Sequence, residues 1–160
     1  MATQTYDPIA SITLGAATAS VTFSAIPQTY TDLVIVMFSD QTASSFSRVQ
    51  FNGDTATNYS SSNLLGDGST ATSSRTTTDS AVTVTSATTS DNISIINIMN
   101  YSNTTTNKTF LIRRNDAAVT VQLNAGLYRS TSAITSIRLF SNSSTFTSNS
   151  TFNLYGIKAA

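Results

Sequence analysis

This sequence of 160 residues predicts an all-β fold, a single-domain antiparallel β-sandwich of jelly-roll type. Three observations predict it. Apolar and polar residues alternate with period two in several short runs, and no run keeps a helical period. Turn-forming clusters interrupt these runs every ~10–15 residues, the spacing of sandwich and barrel strands. About a third of the chain is Ser or Thr, with Val and Ile filling many of the apolar positions. Branched side chains of this kind suit a pleated surface.

Taken in order, residues 1–11, MATQTYDPIAS, form an extended N-terminal arm, because Pro8 favours extended backbone in the residue before it. Such an arm could add to a neighbour's sheet edge. The sandwich domain then spans residues 12–160. ASVTF puts Val21 and Phe23 on one strand face. DLVIVMF has no alternation and reads as a central strand covered on both faces. In FNGDTATNYS, Asn-Gly and Gly-Asp favour a tight turn, since glycine accepts positive φ and Asx side chains bond their own backbone. Phe51 should therefore end one strand and Tyr59 begin the next. Residues 66–79, GDGSTATSSRTTTD, are the most polar stretch and read as a long exposed loop. AVTVT alternates at Val82 and Val84. NISIINIM shifts phase between Ile95 and Ile96, which predicts either a bulge or a strand buried on both sides. AVTVQLNAGLY gives the cleanest alternation: Val119, Val121, Leu123, Ala125 and Leu127 share one side. TSIRLF and STFNLYGI supply the last strands.

The absences exclude much chemistry. There is no Cys, no His, and all eight acidic residues are Asp. A Ser-His-Asp triad, a thiolate nucleophile and a thiolate metal site are thereby ruled out. Calcium loops supply several carboxylates at fixed offsets, and FNGDTATNYS offers one. The sequence therefore predicts no enzyme, no cofactor and no metal site. Net charge is zero and only 10% of residues are charged, which argues against nucleic-acid and membrane-surface partners. The longest apolar run, LVIVMF, is far shorter than the ~20 residues a membrane helix needs. With 39% hydrophobic residues and no net charge, the chain also lacks the signature of disorder.

Three motifs carry a family resemblance: FNGD followed by NYS, the run NYSNTTTNKT at residues 100–109, and GLYRSTSAITSI at residues 126–137. In this order, over residues 12–157, the chain resembles small virion structural proteins of tailed phages, frequent among cyanophages and aquatic phages. It is poorer in charge than that group, and Tyr128 stands where the group often has Trp. The resemblance implies a β-sandwich subunit on the outside of the phage particle, on the head rather than the tail. The implied role is capsid decoration, or cement, with the major capsid protein as partner and a homotrimer as the assembly.

Arg and Tyr are favoured anchors at subunit interfaces. Arg48, Tyr59, Tyr128 and Arg129 are accordingly the candidate subunit and capsid contacts. Arg113 and Arg114 are adjacent, so in a strand they face opposite sides. The alternative function is a tail-fibre or adhesin-like module that binds a host glycan, with Tyr30, Tyr59 and Tyr101 near turns as the sugar platform.

Overall fold

The computed structural model describes residues 5–85, 91–116 and 119–158, and among them it contains twelve strands and no helix. Eight strands form one sheet in the order β1 (Tyr6–Thr13), β12 (Thr151–Ile157), β3 (Asp32–Ser39), β8 (Asn92–Met99), β9 (Lys108–Asp116), β10 (Thr120–Tyr128), β5 (Tyr59–Gly66) and β6 (Ala71–Asp79). Four shorter strands form the second sheet, ordered β2 (Ser20–Phe23), β11 (Ile137–Ser141), β4 (Ser47–Phe51) and β7 (Val82–Thr83). Every pairing is antiparallel. The two sheets make the expected β-sandwich.

Alternate residues of each strand fill the space between the sheets. Val21, Phe23, Val49, Phe51, Ile137 and Leu139 of the small sheet are buried, as are Leu33, Ile35, Ile96, Ile98, Phe110 and Ile112 of the large one. Phe51 joins the layers. Its ring centroid lies 5.5 Å from those of Phe110 and Tyr128 and 6.0 Å from that of Tyr59, all three on the opposing sheet. Tyr59 and Tyr128, cross-strand partners, stack at 4.8 Å and 17°. Two glycines make room for such rings. A Cβ on Gly126 would lie 2.0 Å from Phe110 Cε2, and one on Gly156 would lie 2.3 Å from Cγ of Tyr30.

Four expectations change. Residues 6–11 are not a free arm. They form most of β1, paired with β12 of their own sheet, because alternate residues Ala10 and Ile12 pack on the core. Residues 1–4 of that arm lie outside the described residues. Residues 66–79 are not a long loop. A tight turn around Asp67 and Gly68 (φ 88°) leads into β6, whose Thr-rich sequence makes a nine-residue strand that is exposed except at Asp79. β8 contains no bulge: its register with β3 and β9 is continuous, and Ile93 and Ile95 simply face away from the core while Ile96 and Ile98 face into it. β3 is covered on both faces only in part: on its outer side Val34 is buried, whereas Phe38 is 46% exposed.

Phe51→Ala should lower the unfolding free energy by about 3–5 kcal/mol, read as a shift in urea midpoint, because the cavity would open between the layers. Gly126→Ala should cost about 1–3 kcal/mol, since the new Cβ would overlap the buried Phe110 ring and force it to shift. Ser73→Ala on exposed β6 is the control and should stay within about 0.5 kcal/mol.

Candidate interaction surface

The four expected contact residues serve the fold instead. Tyr59 and Tyr128 are buried in the aromatic cluster just described, and neither ring is presented to a partner. The Tyr59 hydroxyl accepts the Phe51 N–H at 2.9 Å and so closes the corner between β4 and β5. Arg48 pairs with Asp79 at 2.5 Å and donates to the Ala81 carbonyl at 2.6 Å. Arg129 donates from Nη2 to the carbonyl of Thr57 at 2.6 Å. These cations tie loops down; neither reaches outward as a clamp.

The corner between β4 and β5 is the turn the sequence predicts. β4 ends at Phe51, β5 starts at Tyr59, and Asn52 (φ 55°) and Gly53 (φ 67°) occupy the two central positions of a turn closed by the Asp54 N–H on the Phe51 carbonyl at 3.0 Å. Two positive φ values in succession are the signature of a I′ turn. Asp54 accepts the Ala56 N–H and the Asn58 side-chain amide, each at 2.8 Å. The Asn58 contact, its largest influence, holds the Asp54 carboxyl below the ordinary carboxylate range.

All three resemblance motifs meet at this corner. Asn52 Oδ1 accepts the N–H groups of Thr135 and Ser136, and its Nδ2 donates to the Ala133 carbonyl. The Ile134 N–H donates to the carbonyl of Tyr101 at 2.9 Å. Buried Lys108 donates to the carbonyls of Thr106 and Thr131 at 2.7 and 3.1 Å. Asn103 Oδ1 accepts from Thr105 and Thr106 and shapes the intervening loop. The motifs are a knot of turn and loop contacts at one end of the sandwich.

Exposed apolar side chains gather on the outer face of the large sheet. One row across it runs Val36, Ile95, Arg113, Leu123 and Leu64. The next runs Phe38, Ile93, Asn115 and Val121. Leu64 and Val121 are 59% and 58% exposed, and Leu123 is 39% exposed. Scattered surface hydrophobes need no explanation, but contiguous ones usually mark an interaction site. The adjacent arginines separate as expected. Arg113 points outward into the apolar row, whereas Arg114 is buried and bonds Gln122 Oε1 at 2.7 Å and Thr120 Oγ1 at 3.1 Å.

β10 is therefore inverted. Val121, Leu123, Ala125 and Leu127 do share a face, and that face looks at solvent. Its other side carries Gln122, Asn124, Gly126 and Tyr128 into the interior. Tyr128 must meet Tyr59, Gly126 must lie under Phe110, and Asn124 Nδ2 donates to the Thr83 carbonyl at 3.1 Å. With period two, fixing any one of these fixes the whole strand. None of these outer-face residues is among the four expected contacts, although β3 and β8 are apolar on both sides.

The titrating groups frame a wide stable range. Burial pushes the Tyr59 phenol well above its usual value, and burial likewise raises Tyr101 and Tyr128. A phenol that holds its proton to higher pH in the folded chain than in the unfolded one contributes stability that is complete below pH ~10 and lost as the pH rises further. Asp54 and Asp67 are held low, Asp67 chiefly by the Thr70 backbone N–H. Their contribution is present above pH ~4 and lost as the pH falls through their folded values. No imidazole titrates between these limits. Melting temperature should thus be nearly flat from pH ~5 to ~9 and fall on both sides, and Tyr59→Phe should flatten the alkaline limb. No protein-family model matches this chain, and no curated protein matches it.

Proposed function

We propose that this protein is a non-enzymatic virion structural protein, a capsid decoration protein that binds the major capsid protein on the outside of a phage head and stabilises it. The observation that carries the proposal is the uncovered apolar outer face of the eight-stranded sheet, with Arg113 set among Ile95 and Leu123. That face is the docking surface. The motif resemblance to phage virion proteins supplies the partner and the homotrimeric assembly. A lattice that presents aliphatic side chains around a carboxylate would complement the face, with the carboxylate opposite Arg113 fixing orientation and speeding encounter. Binding would stabilise the assembled lattice by mass action, and three linked copies would raise the effective affinity.

The aromatic platform of the alternative, a tail-fibre or adhesin-like glycan-binding module, receives no support. Tyr59 and Tyr101 are fully buried, and the Tyr30 ring lies over Gly156.

The test is binding of Leu64→Asp and Leu123→Asp variants to purified heads stripped of this protein. Each should bind at least about tenfold more weakly, since a buried leucine contributes about 1.5–3 kcal/mol. Unfolding free energy should stay within about 0.5 kcal/mol of the parent protein, because both positions are on the surface. Undiminished decoration by both variants would sink the proposal, as would cryo-electron microscopy of the parent virion locating the protein on the tail alone.

A further inference from the structure

The large sheet ends in β1 on one side and β6 on the other, and the two edges differ. β1 carries Pro8, which has no N–H, and its ladder to β12 slips between Pro8 and Ala10. Prolines and bulges of this kind keep a sheet edge from pairing further. β6 has neither over residues 71–76, where its register with β5 is unbroken. It is nine residues long and exposed at every position but Asp79. Between Ala71 and Asp79 every residue except Arg75 carries a hydroxyl.

The β5–β6 turn fixes which main-chain groups face outward. The Asp67 N–H donates to the Thr70 carbonyl at 3.2 Å, so these residues form a hydrogen-bonded pair across the hairpin. Bonded and non-bonded pairs alternate along an antiparallel ladder. With Gly66 opposite Ala71, the bonded pairs are Leu65–Thr72, Asn63–Ser74 and Ser61–Thr76. The N–H and C=O groups of Ala71, Ser73 and Arg75 therefore point away from β5. No loop among the described residues bonds them. They form a row of alternating donors and acceptors along an uncovered edge.

We infer that this edge pairs with the same edge of a second copy of the chain, antiparallel, about a two-fold axis at Ser73. Such an axis places Ser73 opposite Ser73, and Ala71 opposite the partner's Arg75. The outward N–H and C=O groups of Ala71, Ser73 and Arg75 then bond those of the other copy. Thr72 meets the partner's Ser74, and hydroxyl pairs of this kind stabilise neighbouring strands. Charge selects the register. An axis at Arg75 would set like charges directly opposite, and an axis at Ser74 would make the two arginines diagonal neighbours. At Ser73, each Arg75 instead reaches the other copy's hairpin end, where Asp67 supplies an exposed carboxylate. Zero net charge leaves no general repulsion between copies. The apolar outer face stays uncovered in this pair, so the inference goes beyond the capsid reading and does not depend on it.

The experiment is sedimentation equilibrium and amide hydrogen exchange of the whole protein from ~10 μM to ~1 mM, a range suited to main-chain pairing. Average mass should rise with concentration. Exchange at Ala71, Ser73 and Arg75 should slow with it by about tenfold or more, and exchange at Thr72, Ser74 and Thr76, which face β5, should respond less. Ser73→Pro removes only an outward N–H, so it should weaken association about tenfold or more with melting temperature unchanged. Two further variants add the same charge and should act in opposite directions. Ala71→Asp faces the partner's Arg75 and should tighten association about threefold; Ser73→Asp sets two carboxylates face to face and should loosen it about as much. Leu123→Asp on the outer face should leave association unchanged. Free exchange at Ala71, Ser73 and Arg75 up to ~1 mM would overturn the inference. So would association that survives Ser73→Pro, that tightens in Ser73→Asp, or that is lost in Leu123→Asp. Protection of those amides only on binding to phage heads would overturn it too, and would give the edge to a strand of the capsid protein.

Discussion

The contact of Phe51 with Tyr59, Phe110 and Tyr128 is the constraint on which the rest of this structure depends. One ring from the small sheet reaches three rings of the large one, so the layers are joined where β4, β5, β9 and β10 converge. Those rings dictate their surroundings. Gly126 is a glycine because Phe110 lies over it, and the Tyr59 hydroxyl is placed to satisfy the Phe51 backbone. The I′ turn at Asn52 and Gly53 then follows, because a short connection must bring Tyr59 back beneath the strand that Phe51 ends.

This arrangement forces an unusual polarity on the far half of the large sheet. Once Tyr128 and Gly126 face inward, period two sends Gln122 and Asn124 inward with them and sends Val121 and Leu123 out. The interior compensates with a directed chain of hydrogen bonds from Arg114 through Gln122 to Asn63. On the exterior, Val121 and Leu123 are left exposed, with no cover among the described residues. The same inversion thus generates both the apolar outer face and the amide-lined inner face behind it.

The motifs that carry the resemblance to phage virion proteins belong to the fold more than to its contacts. Asn52, Tyr101, Lys108 and the residues around Ile134 bond one another at a single corner, and the outer face lies on other residues. The resemblance thereby speaks most directly to architecture. The apolar outer face is made by Val36, Ile95, Leu123 and Leu64, none of which belongs to the three most specific motifs.

The sequence by itself determined the all-β class, most strand positions, the corner from Phe51 to Tyr59 and the separation of Arg113 from Arg114. Each of these is a local matter: strand periodicity, turn chemistry and alternation act over a few residues. Only the tertiary structure decided which side of β10 is interior, that residues 66–79 form an edge strand, and that Tyr59, Tyr128, Arg48 and Arg129 hold the fold together. An alternating strand has two faces of fixed composition, and its own residues do not say which is covered. That choice belongs to the ring opposite, the glycine beneath it and the carbonyl across the layer, all contributed by segments distant in the chain.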